Sequence, residues 1–274
     1  MPASTQVTDR TISLNGLEFH YRDWGDPSAA PLVLLHGLSS HARSWDTFAE
    51  AMAARYRVLA LDQRGHGESA WAGDYAPERR VEDMEAFADA LGLETFSLLG
   101  LSMGGICAYG YAAQHPERLE RLVIVDIAPE LETDGIKRIG SGMAQKSEFD
   151  DPEEAVAQSR AANPRPPEAA LRHRVLNNLK QREDGKWTWR YDPAVSGATR
   201  GPRPDPEPIW ASLRNISCPA LLVRGAESDL LGRAAAERMT REMQNCTLVE
   251  VPNAGHSVPL DNPQGFLEAV AAFL

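Results

Sequence analysis

The chain has 274 residues, 43% of them apolar and 24% charged, with 28 Lys and Arg against 39 Asp and Glu. One large α/β domain, or a little under two ordinary domains of ~150 residues, accounts for that length, and such a chain can bury a core without disulfide or metal staples. The net charge of −11 argues against nucleic-acid binding, which needs basic stripes to neutralise phosphates, and against docking on anionic lipid.

Residues 1–10 are polar and carry no apolar h-region, so no signal peptide is expected there. No stretch approaches the ~20 apolar residues of a spanning helix. Cys107, Cys218 and Cys246 are odd in number, far apart and in apolar company. They read as small buried hydrophobes in a reducing compartment, and the expected location is cytoplasmic.

Residues 12–21 read as two strands around Asn15-Gly16, a pair suited to the positive φ values of a type I′ turn. The run Pro31-Leu-Val-Leu-Leu-His-Gly is continuously apolar. It lacks alternation, so both its faces should be buried, as in a mostly parallel sheet. Residues 44–55 have helical spacing. The alternation then repeats: strand 56–61 ending at Asp62, helix 78–91 stopped by Gly92, strand 95–99, helix 103–115 and strand 119–125 ending at Asp126. Strands alternating with helices predict βαβ units and a parallel sheet.

Between about 128 and 216 the rhythm breaks. Helical stretches at 153–162 and 168–180 lie among prolines and three tryptophans, with no clean β-run. The segment reads as a mostly helical cap inserted in an α/β core, giving a core of 1–128 and 217–274 and a cap of 129–216. After it come strand 220–225, helix 234–243, strand 247–251, a loop holding His256 and a closing helix, 263–274.

Gly100-Leu-Ser-Met-Gly104 sits between the apolar run Phe96-Ser-Leu-Leu and an apolar helix. A strand–turn–helix of this kind presents a serine on a sharp turn, and the residues two before and two after it must be small. Ser102 is therefore the candidate nucleophile. A serine needs a base. His256, in Asn253-Ala-Gly-His-Ser-Val-Pro, follows the last strand, where a loop can lean over the carboxyl ends of the sheet. His173 lies in the cap with no strand to fix it, and His20, His41 and His115 read as structural or solvated.

These features resemble the α/β-hydrolase fold superfamily over nearly the whole chain outside the cap. The matching residues are His36-Gly37, Asp62-Gln-Arg-Gly-His-Gly-Glu-Ser69, Gly-Leu-Ser-Met-Gly-Gly and Gly255-His256. The resemblance implies an oxyanion hole made by the backbone N–H groups of Leu38 and Met103. The second of these opens a helix, where free donors favour negative charge. Two acids compete to orient His256. Asp229 lies close to where the superfamily usually places its acid, but the usual Gly-x-x-Asp spacing counted from Gly225 falls on Ser228. Asp126 lies in Val125-Asp-Ile-Ala-Pro129, which looks like a branch of serine esterases and lactonases with the acid on the earlier strand; that resemblance makes Asp126 the expected acid and Asp229 the alternative.

The resemblance implies a serine hydrolase that cleaves small carboxylic esters through an acyl-enzyme, without metal or organic cofactor. Alternatives are a lactonase, an amide or C–C hydrolase acting on a carboxylate-bearing degradation product, a non-hydrolytic relative such as a hydroxynitrile lyase or cofactor-free dioxygenase, and a small-molecule receptor on the same scaffold. Ser102 argues against relatives with an aspartate nucleophile. The expected partner is a small ester or lactone, with no nucleic acid or membrane, and the chain as monomer or homodimer. Trp187, Trp189 and Trp210 are candidates to line the substrate pocket, or else to pack the cap onto the core; His36 and the segment from Asp62 to Ser69 read as shaping the loops around the site, with a direct substrate role for His36 as the alternative. Residues 130–210 carry 13 basic and 14 acidic side chains, so most of the negative charge lies on the core. Within the cap, Arg160, Arg165, Arg172, Arg174, Lys180, Arg182, Lys186 and Arg190 face only Glu168, Glu183 and Asp184. That stretch is either a solvated face or a reader of a substrate carboxylate.

Overall fold

The computed structural model describes residues 7–143, 145–195 and 205–274. Its large sheet has eight strands. These are β1 (Thr8–Leu14), β2 (Leu17–Trp24), β3 (Pro31–Leu35), β4 (Arg57–Leu61), β5 (Phe96–Leu101), β6 (Leu119–Val125) and, late in the chain, Ala220–Gly225 and Cys246–Val251. The β1–β2 hairpin turns on Asn15 and Gly16, both at positive φ (51° and 77°), as that dipeptide favours. The strand order is β1-β2-β4-β3-β5-β6 followed by the two late strands. Pairings from β4 through β3, β5 and β6 to the late strands are parallel.

Continuous apolar runs follow from burial on both faces. Val33, Leu35, Leu59, Leu61, Leu98 and Leu122 enter one core, with Met84 and Phe87 of α2 (Pro77–Ala90) and Tyr111 of α3 (Met103–Gln114). The residues alternating with them, Leu32, Leu34, Val58, Ala60, Leu99 and Val123, enter another. That second core holds Phe48 of α1 (Asp46–Met52) and Phe266 of the closing helix, Pro263–Phe273.

Between β6 and Ala220 the chain forms α4 (Thr133–Met143), β7 (Glu148–Phe149), α5 (Pro152–Ala162), α6 (Glu168–Asn177), β8 (Leu179–Gln181), β9 (Trp187–Trp189) and α7 (Glu207–Leu213). The late elements are then β10 (Ala220–Gly225), α8 (Arg233–Glu242), β11 (Cys246–Val251), α9 (Val258–Asp261) and α10 (Pro263–Phe273). Two corrections concern this stretch. It contains a small antiparallel sheet, ordered β7-β9-β8, where no strand is expected from sequence. Its helix from Glu168 stops at Asn177, short of the expected 180, and the chain turns into β8.

The stretch also divides by packing. Ile136 and Ile139 of α4 and Trp210 and Leu213 of α7 join the main core. Phe149, Ala155, Val156, Leu171, Val175 and Leu179 make a separate apolar cluster under Trp187 and Trp189. The part with its own interior is therefore the portion carrying β7 to β9.

Candidate active site

The turn after β5 explains its glycines. A Cβ at Gly100 would lie 2.2 Å from Gly104 O, and one at Gly104 would lie 2.3 Å from Leu35 O. Only glycine lets α3 start this close to β3 and β5. Ser102 sits at the bend with φ 53° and ψ −114°. Its N–H donates to Val125 O at 3.0 Å. Five non-glycine residues among those described have positive φ: Asn15, Ser39, Ser102, Asp126 and Asn253. All but Asn15 belong to the loops at the carboxyl ends of the parallel strands, so backbone strain is concentrated there.

Ser102, His256 and Asp126 are brought into one chain of hydrogen bonds. Ser102 Oγ lies 2.9 Å from His256 Nε2, and His256 Nδ1 lies 2.9 Å from Asp126 Oδ2. Asp126 is fully buried. Its Oδ1 accepts Gly225 N–H at 2.9 Å and its Oδ2 accepts the Ser228 hydroxyl at 2.5 Å. With the carboxylate accepting at Nδ1, the ring carries its proton there and leaves Nε2 free to accept from Ser102. The His256 loop is pinned by Gly255 N–H donating to Asp261 Oδ2 at 2.9 Å and Glu227 N–H to Ala254 O at 2.9 Å.

Asp229 does not join this chain. It forms a two-pronged pair with Arg138 at 2.5 and 2.8 Å, at the surface. The Arg138 guanidinium holds its carboxyl below the usual range. Ser228, at the position where the superfamily's spacing would put an acid, instead buttresses Asp126. Its Oγ also accepts the N–H groups of Leu230 and Leu231 at 3.2 and 3.1 Å. Sequence reading noted the serine but assigned it no part.

The loop after β3 runs beside the serine. A Cβ at Gly37 would lie 3.5 Å from both Ser102 Cβ and Leu101 O. Leu38 follows it, and Met103 opens α3, so both backbones border Ser102. Two buried histidines fix this loop. His36 Nδ1 donates to Gly37 O at 2.8 Å, and its Nε2 accepts Gln63 N–H at 3.0 Å. His66 Nδ1 donates to Arg64 O at 3.0 Å, and its Nε2 accepts Ser39 N–H at 3.2 Å. Each ring needs one bare nitrogen, and burial supplies the neutral form. It pulls His36 below its ordinary range and His66 down to about 3.

The segment from Asp62 to Ser69 is the clamp behind that loop. Asp62 accepts from Ala42 N–H at 2.6 Å, His20 Nδ1 at 2.7 Å and Glu68 N–H at 3.1 Å. Burial would raise its pKa, but the His20 hydrogen bond and the surrounding histidines outweigh it and hold the carboxyl at about 2. A Cβ at Gly67, φ 57°, would fall 2.2 Å from that carboxylate. Arg64 grips Asp83 with two hydrogen bonds of 2.6 and 2.8 Å.

Trp210 is a correction to the pocket candidates, and His36 takes the loop-shaping role expected of it. Both nitrogens of His36 are used within the protein, so none is left for substrate. Trp210 is fully buried in the main core, its Nε1 donating to Glu130 at 3.1 Å and its ring under Arg238. It belongs to α7, which lies on the core. Trp187 and Trp189 cover the small cluster, with Trp189 edge-on to Phe149 and stacked on Tyr191. Tyr191 in turn bridges to His66.

The other histidines tie elements together. His173 bonds Asp46 Oδ2 at 3.0 Å, and His41 Nε2 bonds Arg174 O at 3.0 Å. Asn178 Nδ2 donates to Ser39 O at 2.9 Å. These contacts seat α6 on the loop that leads away from Leu38. Burial pushes the thiols of Cys107 and Cys246 up to about 12 and that of Cys218 to about 11, so none is a thiolate near neutral pH. Among the described residues no cluster of His, Cys, Asp and Glu is arranged to hold a metal, and no helix is long and apolar enough to cross a membrane.

Comparison with known proteins agrees with this architecture. The model of the Alpha/beta hydrolase family matches residues 32–269. The chain is similar to a 3-hydroxybutyrate-oligomer hydrolase of Cupriavidus necator, 32% identical, covering 89% of this chain and 88% of that protein. It is also similar to the sn-1-specific diacylglycerol lipase ABHD11 of Mus musculus, 33% identical, covering 91% and 82%. Among solved structures, that of E-2-(acetamidomethylene)succinate hydrolase superposes with a TM-score of 0.89 at 25% identity, covering 98% of this chain and 99% of that one. The chain is an enzyme of the alpha/beta hydrolase family.

Proposed function

We propose that the enzyme hydrolyses carboxylic esters of small molecules through an acyl-enzyme on Ser102, with His256 as base, Asp126 as its orienting acid, and Leu38 and Met103 as oxyanion donors. The observation that carries this reading is the unbroken hydrogen-bond chain from Ser102 through His256 to buried Asp126.

Ser102 Oγ attacks the carbonyl carbon while His256 Nε2 takes the hydroxyl proton. Asp126 keeps the ring in the tautomer that can accept it and stabilises the imidazolium that forms. The oxygen of the tetrahedral intermediate takes the N–H groups of Leu38 and Met103. Such a donor contributes about 3–4 kcal/mol on the developing oxyanion. The intermediate collapses as His256 protonates the departing alcohol. Water then attacks the acyl group, with His256 taking its proton, and Ser102 is released. No step calls for a cofactor.

The substrates named for two of the relatives, hydroxybutyrate oligomers and diacylglycerols, support esters. The portion carrying β7 to β9, seated on the Ser39–Asp46 loop, serves as the cap, a smaller unit than the 129–216 read from sequence. The unpaired thiols support a reducing, cytoplasmic setting. Turnover of p-nitrophenyl acetate by the wild type and by Ser102→Ala tests the reading. Abolished turnover in the variant supports it, and retained turnover removes Ser102 from the mechanism. Activity on cyanohydrins or hydroxyquinolones without any ester turnover would favour a non-hydrolytic relative instead.

A further inference from the structure

Among the described residues the cap's cations are almost all satisfied. Arg138 pairs with Asp229, Arg160 with Glu168, Arg165 with Glu227, Arg172 with Glu153, Arg182 with Asp184 and Arg190 with Glu68. Lys180 lies over the Trp71 ring. Arg174 differs. Among the described residues its guanidinium has no hydrogen bond and no carboxylate within ion-pairing distance, and the residues outside the description include no Asp or Glu.

Its position is fixed at the seam between cap and core. The Arg174 carbonyl takes His41 at 3.0 Å, and Asn178, one turn further along, donates to Ser39 O at 2.9 Å. Three neighbours of the site feel its charge. Its charge acts on His36, which adjoins Gly37, and on Tyr191, which bridges to His66. It also acts on Asp261, which holds Gly255 N–H beside His256. The charge therefore bears on groups that hold Leu38 and His256, from a helix seated on the loop after Leu38. Burial disfavours its charged form, and the Asp261 carboxylate, which makes no ion pair with it, offsets that only in part. Carrying such a group costs the fold stability unless an anion occupies it in use.

We propose that Arg174 is the specificity determinant of the site, reading a carboxylate on the substrate, so that the preferred substrates are half-esters or other carboxylate-bearing acyl compounds. The guanidinium supplies a planar pair of donors matched to a carboxylate, and its half-buried setting makes each charge-assisted hydrogen bond count for more than at the surface. Among the described residues the other cap arginines are held by carboxylates and Lys180 by the Trp71 ring, so the basic stretch reads through one residue rather than as a diffuse patch. This inference rests on Ser102 being the reacting group.

The experiment has a binding arm and a turnover arm. Ser102→Ala and Ser102→Ala/Arg174→Gln are titrated by calorimetry with the monomethyl esters of succinate, glutarate and adipate and with the corresponding dimethyl esters. The best half-ester should bind the single variant at least about tenfold tighter than its diester, and the double variant should lose that preference. In turnover by the Ser102 enzyme, Arg174→Gln should lower the half-ester to diester ratio of kcat/KM by at least about tenfold, while Arg174→Lys restores part of it as a point charge. Half-esters bound no tighter than diesters, or a ratio changed less than about twofold in both Arg174 variants, would overturn the proposal. Absence of turnover in the wild type would count against ester hydrolysis alone, since the calorimetric comparison decides Arg174 without it.

Discussion

Replacing Asp126 by asparagine separates the two candidate acids. The side chain is fully buried, and each of its oxygens accepts: Oδ1 from Gly225 N–H, Oδ2 from Ser228 and His256. An amide has only one acceptor oxygen. If its nitrogen faces His256, the ring must accept at Nδ1 and carry its proton on Nε2, which then cannot take the proton of Ser102. If its nitrogen faces Gly225, two donors oppose each other in a dry site, at a cost of about 1–3 kcal/mol. The wrong tautomer is the larger effect. Losing the orienting acid in a serine protease triad lowers kcat by ~10⁴, which corresponds to about 5.5 kcal/mol of barrier. Steady-state p-nitrophenyl acetate kinetics should therefore show Asp126→Asn down by three to four orders of magnitude. Asp229→Asn, which breaks only a surface pair with Arg138, should stay within about threefold of wild type. Comparable losses in the two variants, or Asp126→Asn within tenfold of wild type, would refute the reasoning.

Ser228→Ala removes a donor to Asp126 and the acceptor of two backbone N–H groups, so it should lower stability by about 1–3 kcal/mol in urea unfolding and reduce kcat without changing KM. Gly104→Ala would place a methyl 2.3 Å from Leu35 O, so it should lower Tm markedly, while Gly140→Ala, which meets nothing, should not. His66 makes stability depend on acid. Its folded pKa of about 3 lies below the ordinary value near 6.5, so the unfolded chain binds its proton first as pH falls. The neutral ring's full contribution is present above about pH 6.5, and about 2.7 kcal/mol of it is lost by roughly pH 4.5. His66→Gln, which keeps an acceptor for Ser39, should flatten the fall in unfolding free energy over that window relative to wild type, and an unchanged slope would contradict the assignment.

Much of this arrangement is legible in the sequence because the core repeats strong signals. The continuous runs at 31–35, 96–99 and 119–125 are buried on both faces, and Gly100, Gly104 and Gly67 stand where a Cβ would strike backbone or the Asp62 carboxylate. The cap is harder for a physical reason. β7, β8 and β9 are two or three residues long, too short for period-two alternation to register. The helix before β8 ends at a polar Asn178 that bonds the core loop, a long-range tie with no local signature. Trp210 misleads because α7 spans seven residues, and its core-facing side shows no helical period in so short a stretch. Asp126 and Asp229 both follow strands; the family resemblance favours Asp126, and the parallel pairing of β6 beside β10 brings it to His256. Arg174 is one basic residue among many in sequence, and only the pairing of its neighbours sets it apart.

The most direct measurement is covalent labelling by a fluorophosphonate, followed by peptide mass mapping of the wild type, Ser102→Ala and Asp126→Asn. A serine activated by His256 and flanked by oxyanion donors should form a single phosphonyl adduct on the peptide carrying Ser102. That adduct should be absent from Ser102→Ala and form far more slowly in Asp126→Asn. An adduct on another residue that persists in Ser102→Ala, or no adduct in the wild type, would contradict the account.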